Sequence, residues 1–297
     1  MRVLISGASG LVGTELVRQL RAEGHEPLKL VRREKRSHDE VSWDPAKGYL
    51  EAAIMESVDA VVNLAGATTG RIPWTKAYKR EIVASRLDST RTLVTAINDA
   101  SNPPRVLISG SASGFYGEGG ENWLSEDSPK GAGFLSDLAA RWEQEALKAK
   151  VRVVLVRTTL VMSRKLGALG RLLPLIRAGV GGPLGSGKQY WAWINLEDEA
   201  AAIIHLINND SARGPFNLTA PDDATCDEMI RELGKSLRRP TLFRVPEFAM
   251  KLFIGEAAEE LLLVSQRMTA NKLLASGFRF RYPTLEASVK WVTQPKE

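Results

Sequence analysis

Residues 2–13 read RVLISGASGLVG. Arg2–Ser6 is a short apolar run of strand length. Gly7, Gly10 and Gly13 follow at once, and Val12, Leu16 and Leu20 then recur every fourth residue, the spacing of one helix face. Gly24 is placed to end that helix in a left-handed cap. A strand, a glycine turn and an amphipathic helix in this order are what a dinucleotide-binding turn requires. Glycine permits the tight bend and lets backbone approach a pyrophosphate. The helix start offers unpaired N–H groups and partial positive charge to the phosphates. Gly7, Ser9, Gly10, Leu11, Val12 and Gly13 are therefore the first candidate cofactor-binding residues.

Outward from this turn the chain keeps alternating. Leu28–Val31, Val41–Trp43, Asp59–Leu64, Arg105–Ser109 and Val151–Arg157 read as strands. Residues 77–100 and 135–149 read as helices. Strands alternating with helices predict an α/β fold, a Rossmann-type doubly wound parallel sheet. Near residue 160 the pattern changes. GVGGPLGSG at 179–187 is a loop, 196–209 is helical, 214–218 is strand-like, and 225–285 is mostly helix-forming with short breaks. The expected organisation is a Rossmann domain over 1–165 and a smaller, mostly helical substrate lobe and C-terminal domain over 166–297. Residues about 190–220 are expected to return to the sheet.

Composition excludes several classes. The 297 residues are 44% hydrophobic and 25% charged, which fits a globular chain and not a fibrous or disordered one. No apolar run approaches the roughly 18 residues of a membrane span, and the N-terminus lacks the pattern of a secretory leader. One cysteine, Cys226, allows no intrachain disulfide and no cysteine cluster, and three scattered histidines make no zinc pattern. A reducing cytoplasm is the expected location. The net charge of +5 is spread along the chain without a recognition motif, so neither nucleic acid nor membrane is an expected partner. A small-molecule substrate is, and a homodimer stays open.

The G-x-x-G-x-x-G spacing resembles the short-chain dehydrogenase/reductase superfamily. Asn63-Leu64-Ala65-Gly66 matches its N-x-A-G segment. SGSASGFYG at 109–117 resembles the serine-rich segment of its extended, epimerase-like branch. Ala84-Ser85-Arg86, with Thr90, resembles the helix position that reaches the cofactor there. WE at 142–143, GGPLGSG at 181–187, WIN and LED within 193–198, and KLLASGFRFRYP at 272–283 are similar to one atypical group, named epimerase family proteins. The resemblance covers essentially the whole chain. It implies cofactor contacts at Leu64, Ala65, Gly66, Arg86 and Ser109.

At the end of the second strand, an acidic residue would select the ribose hydroxyls of NAD. Arg32 and Arg33 stand there instead. A guanidinium pairs with a 2′-phosphate that a carboxylate would repel, so the expected cofactor is NADP.

The superfamily's Tyr-x-x-x-Lys pair is missing. The matching segment places Phe134 and Leu138 there, and neither transfers a proton. Ser111 and Tyr116 are the remaining catalytic candidates, with packing of Tyr116 at the sheet edge as its alternative. Asp198 is read as a helix cap. Gly182 to Lys188 mimics a phosphate loop, but Gln189 stands where Ser or Thr is needed, so a loop bordering the cleft is the reading. Trp191 and Trp193 either line a pocket or fill the core. Two functions stay open: an NADP(H)-dependent oxidoreductase or epimerase acting on a small molecule, and an NADP(H)-binding regulatory or redox-sensing protein without turnover.

Overall fold

The computed structural model describes residues 1–164 and 167–294. The first half runs β1 (Arg2–Ser6), α1 (Leu11–Ala22), β2 (Glu26–Val31), β3 (Glu40–Asp44), β4 (Tyr49–Leu50), β5 (Ala60–Asn63), α2 (Lys76–Asp99), β6 (Val106–Ala112), β7 (Trp123–Leu124), α3 (Phe134–Ala146) and β8 (Arg152–Thr158). The second runs β9 (Leu160–Met162), α4 (Gly167–Arg177), β10 (Trp193–Asn195), α5 (Leu196–Asn208), β11 (Gly214–Leu218), α6 (Cys226–Leu237), α7 (Glu247–Ile254), α8 (Glu256–Ala258), β12 (Arg267–Met268), α9 (Asn271–Ala275) and α10 (Leu285–Thr293).

Eight strands form one sheet in the order β11-β8-β6-β5-β1-β2-β3-β4, parallel except for β4. Strands β1, β5, β6 and β8 are nearly continuous apolar runs because helices cover both faces. One face packs on α1 and α5, through Val3, Ile5, Leu16, Leu20, Ile203 and Ile207. The other packs on α2 and α3, through Leu4, Val61, Leu93, Ile97, Leu107 and Ala146. A separate core, with Trp193, Cys226, Met229, Leu233 and Val289, holds α4, α6 and α10 together.

The sheet and its flanking helices are as the alternation predicts. The short elements are new. Strands β9 and β10 pair in a small sheet of their own, as do β7 and β12. Two or three residues carry too little pattern to be read as strands. Helix α4 was also missed, since Pro174 lies inside it.

Helix α5 corrects one expectation. Its cap is Asn195, whose side chain accepts from the Glu197 N–H at 2.9 Å. Asp198 instead accepts from the backbone N–H groups of Arg281 (2.8 Å) and Tyr282 (2.9 Å), tying the C-terminal segment to the helix start. Glu199 is wholly buried. One of its carboxyl oxygens accepts from Thr158 at 2.6 Å, and the other has no hydrogen-bond partner among the described residues. Burial pushes this carboxyl up to about 8. The folded chain therefore holds a proton that the unfolded chain has released. This contribution to stability is fully present below the ordinary carboxyl range and is lost as pH rises toward 8. Urea unfolding between pH 5 and pH 8 should show the chain losing several kcal/mol with rising pH. Glu199→Gln should remove most of that slope.

Candidate functional site

The chain leaves β1 toward β2 and β3 on one side, then returns to build β5, β6, β8 and β11 on the other. The crevice between the carboxyl ends of β1 and β5 is the switch point, where open α/β sheets take their ligands. Gly7 sits there with φ +70°, and a Cβ on it would lie 2.6 Å from the Leu64 carbonyl oxygen. Only glycine allows both the backbone turn and this approach. A Cβ at Gly13 would lie 2.3 Å from the Gly7 oxygen, so Gly13 lets α1 close on the turn. Gly10 is exposed and less crowded, and its N–H donates to the Gly7 carbonyl at 2.9 Å. No side chain caps α1, and its first turn carries no acid. With Ser9 exposed and Leu11 and Val12 half-buried, this end of the helix is open to an anion.

Across the crevice, Asn63 is fully buried. It accepts from Ser6 Oγ at 2.5 Å and donates to Thr90 Oγ1 at 2.8 Å. Trp142 donates to the same threonine at 2.9 Å. This chain of bonds fixes the loop Leu64-Ala65-Gly66 to α2 and α3. Arg86 lies under that loop, with its guanidinium carbon 3.0 Å from where a Gly66 Cβ would be. It donates only to the carbonyls of Ala67 and Ile82, both at 3.1 Å. Among the described residues no carboxylate pairs with it. Burial pulls the guanidinium down to about 10. A cation held half-buried beside the crevice without a counter-charge is suited to an anionic ligand.

The two arginines after β2 differ. Arg33 is held by Glu40 through two parallel bonds of 2.8 Å. That pairing, with the Arg36 N–H, pulls the Glu40 carboxyl down to about 2. Arg32 is exposed and has no partner among the described residues. The structure thus separates a pair that the sequence presents as equivalent.

Ser109 and Ser111 lie on β6, both buried. Among the described residues Ser109 Oγ reaches only the Gly110 carbonyl, at 3.3 Å. Ser111 donates to Glu143 at 2.6 Å. Glu143 is gripped by Arg157 through bonds of 2.8 and 3.0 Å, with both side chains almost fully buried. Arg157 in turn donates to Tyr116 Oη at 2.8 Å, and that hydroxyl donates to Asn217 at 2.6 Å. Tyr116 is 2% exposed, and burial pushes its hydroxyl up to about 12. Both catalytic candidates are therefore tied into one buried polar network. Glu143, Arg157 and Asn217 are its missed members. Glu143 carries a signal in the WE pair at 142–143; for Arg157 and Asn217 the only signal is a charge or amide at positions that strand patterning would make apolar.

Phe134 and Leu138 join a cluster with Trp74, Tyr78, Ile82 and Leu135. Phe134 meets Trp74 edge-on, with ring centres 5.5 Å apart. Lys79 Nζ lies 4.2 Å from the Phe134 ring centre and is paired with Glu256. Trp193 is fully buried, and Trp191 is 5% exposed with its indole N–H on the Leu262 carbonyl, so both fill the lobe's core. Lys188 is exposed.

The family described as NAD dependent epimerase/dehydratase matches residues 3–219. The chain belongs to that family. A domain of unknown function, DUF1731, matches residues 245–292. The epimerase family protein ML0860 of Mycobacterium leprae is 36% identical, over 98% of this chain and 95% of its own length. The crystal structure of the human epimerase family protein SDR39U1, with NADPH, superposes with a TM-score of 0.91 at 32% identity. It covers 98% of this chain and 99% of that one. MoeE5, in complex with UDP-glucuronic acid and NAD, shares the fold at 20% identity and a TM-score of 0.74, over 98% of each chain.

The network makes a stability prediction. Glu143→Gln leaves Arg157 charged and buried without its counter-ion. Such a loss costs about 3–5 kcal/mol. Guanidinium unfolding should show it, and a loss below about 1 kcal/mol would mean that water or a rearranged carboxylate replaces Glu143.

Proposed function

We propose that the switch-point crevice binds NADP(H), and that the family member described here is an oxidoreductase or epimerase acting on a small molecule. The observation that carries the cofactor choice is Arg32. Glu40, a carboxylate beside the end of β2, is already bonded to Arg33, which leaves the Arg32 guanidinium where an NAD-selecting acid would stand. The glycine cradle and the uncapped start of α1 would hold the pyrophosphate. Arg86 would add positive charge on the far side of the crevice. The human relative's crystal structure with NADPH supports the same reading.

When bound, the nicotinamide supplies hydride transfer. The chain's own part is positioning. Phe134 and Leu138, on the α3 face that carries Tyr and Lys in typical members, build a dry wall together with Trp74. Ser111 and Tyr116 hold Glu143, Arg157 and Asn217 in place, and so order the carboxyl ends of β6, β8 and β11. The proton in any reaction then comes from the substrate's own groups or from water.

That same commitment of Ser111 and Tyr116 favours a second reading, cofactor binding without turnover. The two separate in one assay. Purified protein with NADPH is screened against carbonyl compounds and nucleotide sugars, reading the reduced-nicotinamide absorbance. Turnover of any substrate class establishes the enzyme; tight NADPH binding with none supports the sensor.

The cofactor assignment has its own test. Arg32→Ala should weaken NADPH binding in calorimetry by about tenfold or more, as the loss of a charge-assisted bond of ~1.5–3 kcal/mol implies, and leave NADH unchanged. Arg33→Ala should do less, because Arg33 is already paired. Equal loss toward both cofactors in Arg32→Ala would overturn the assignment.

A further inference from the structure

Exposed apolar side chains are not spread evenly over this protein. Among the described residues thirteen large ones are exposed. Eight of them are Leu175, Val180, Leu242, Phe243, Val245, Phe248, Leu252 and Phe253. These eight come from two stretches that meet. The Arg239 side chain donates to the Arg177 carbonyl at 2.9 Å, and Pro240 packs on Gly179. The Val245 N–H donates to the Pro183 carbonyl at 3.0 Å. On α7, Phe248 and Leu252 are four residues apart and share a face.

The degree of exposure matters as much as the clustering. Leu242 is 83% exposed, Phe253 79%, Leu252 74% and Phe248 73%. Side chains this open project beyond the surface, and Leu242 also borders a shallow pocket with Pro183, Asp227, Arg231, Thr241 and Arg244. A solvated protein gains nothing by holding four such groups together, whereas burial of each would be favourable.

The cations beside them are unevenly paired. Residues 235–253 contain Lys235, Arg238, Arg239, Arg244 and Lys251 against Glu247, and Glu256, Glu259 and Glu260 follow directly after α7. Lys251 is neutralised by Glu247 (2.8 Å) and Glu259 (3.0 Å), and Lys235 pairs with Glu232. Arg177, Arg238, Arg239 and Arg244 have no carboxylate partner among the described residues. Arg244 donates to the carbonyls of Gly185 and Ser186, and Arg239 to that of Arg177. Four uncompensated guanidiniums thus border the apolar projection. A second copy of this chain would bring the same four cations against them.

From this pairing of projecting apolar groups with unneutralised guanidiniums we propose that the face formed by the end of α4, residues 238–245 and α7 docks on an anionic lipid surface. Phe248, Leu252, Phe253 and Leu242 enter the headgroup boundary, and the arginines meet lipid phosphate and carboxylate groups. The absence of a spanning run argues against a transmembrane segment only. A peripheral surface needs none, so this departs from the sequence-based expectation of no membrane partner.

The test is vesicle flotation of the full chain. Vesicles are phosphatidylcholine alone, or phosphatidylcholine with about a third phosphatidylserine, an anionic content typical of cytoplasmic leaflets. The protein should float with the anionic vesicles, stay behind with the neutral ones, and be released by added salt. Phe248→Asp combined with Leu252→Asp should abolish flotation. Arg177→Ala combined with Arg239→Ala should weaken it by about thirtyfold, from the attraction each cation contributes near such a surface. Neither variant should change NADPH affinity or the unfolding midpoint by much, since all four side chains are exposed; this also checks folding. No flotation of the unaltered chain would overturn the proposal. So would equal flotation by the Asp variant, or a concentration-dependent dimer abolished by Phe248→Asp in a chain that ignores vesicles.

Discussion

The contact of Gly7 with the carbonyl of Leu64 governs the shape of the crevice. It is a backbone-to-backbone approach across the switch point, 2.6 Å from where a Cβ would stand, so no side chain can be admitted there. Because the turn after β1 presses on the loop after β5, the open start of α1 and the segment Leu64–Gly66 face one space. Gly13, in the first turn of α1, repeats the constraint against the Gly7 carbonyl and brings α1 against the turn. A ligand site built from backbone in this way depends little on which side chains flank it. It depends on their absence.

Around that contact the structure spends its buried polar groups on rigidity. Asn63 links Ser6 to Thr90, and Thr90 links to Trp142, so β1, β5, α2 and α3 are joined by hydrogen bonds beneath the crevice. Glu143 and Arg157 do the same for β6, β8 and β11 through Ser111, Tyr116 and Asn217. Buried ion pairs contribute little net stability over an apolar equivalent, but they are costly to break. Their effect here is to fix where the carboxyl ends of three strands stand. The same bonds engage the two hydroxyls, Ser111 donating to Glu143 and Tyr116 to Asn217.

The C-terminal half contributes differently. Its core of Trp193, Cys226, Met229 and Leu233 is as buried as that of the sheet, yet α7 and the segment before it leave aromatic and aliphatic groups in solvent. The contrast lies within one lobe. Residues 226–237 form an amphipathic helix closed by a capping box at Thr225 and Glu228, with its apolar face inward. Eleven residues later the apolar groups point outward. Exposed apolar groups clustered in this way mark interaction surfaces.

Sequence alone determined the main sheet, the helices that flank it and the glycine turn after β1. Those follow from local rules: apolar runs of strand length, a four-residue helical repeat, and glycines placed between them. It also showed that Tyr and Lys are lacking on α3, because absence of a residue type is visible without coordinates. What it could not decide were partnerships. Arg32 and Arg33 are adjacent and chemically identical, and only the fold of β2 against β3 puts Glu40 beside one of them. Ser111 and Tyr116 look like free hydroxyls until β6, α3, β8 and β11 bring Glu143, Arg157 and Asn217 to them from up to 101 residues away. Asp198 reads as a cap until the chain returns at Arg281. Periodicity records which face of an element is buried. It carries no record of which distant group will be found there, and the chemistry of this site is set by those distant groups.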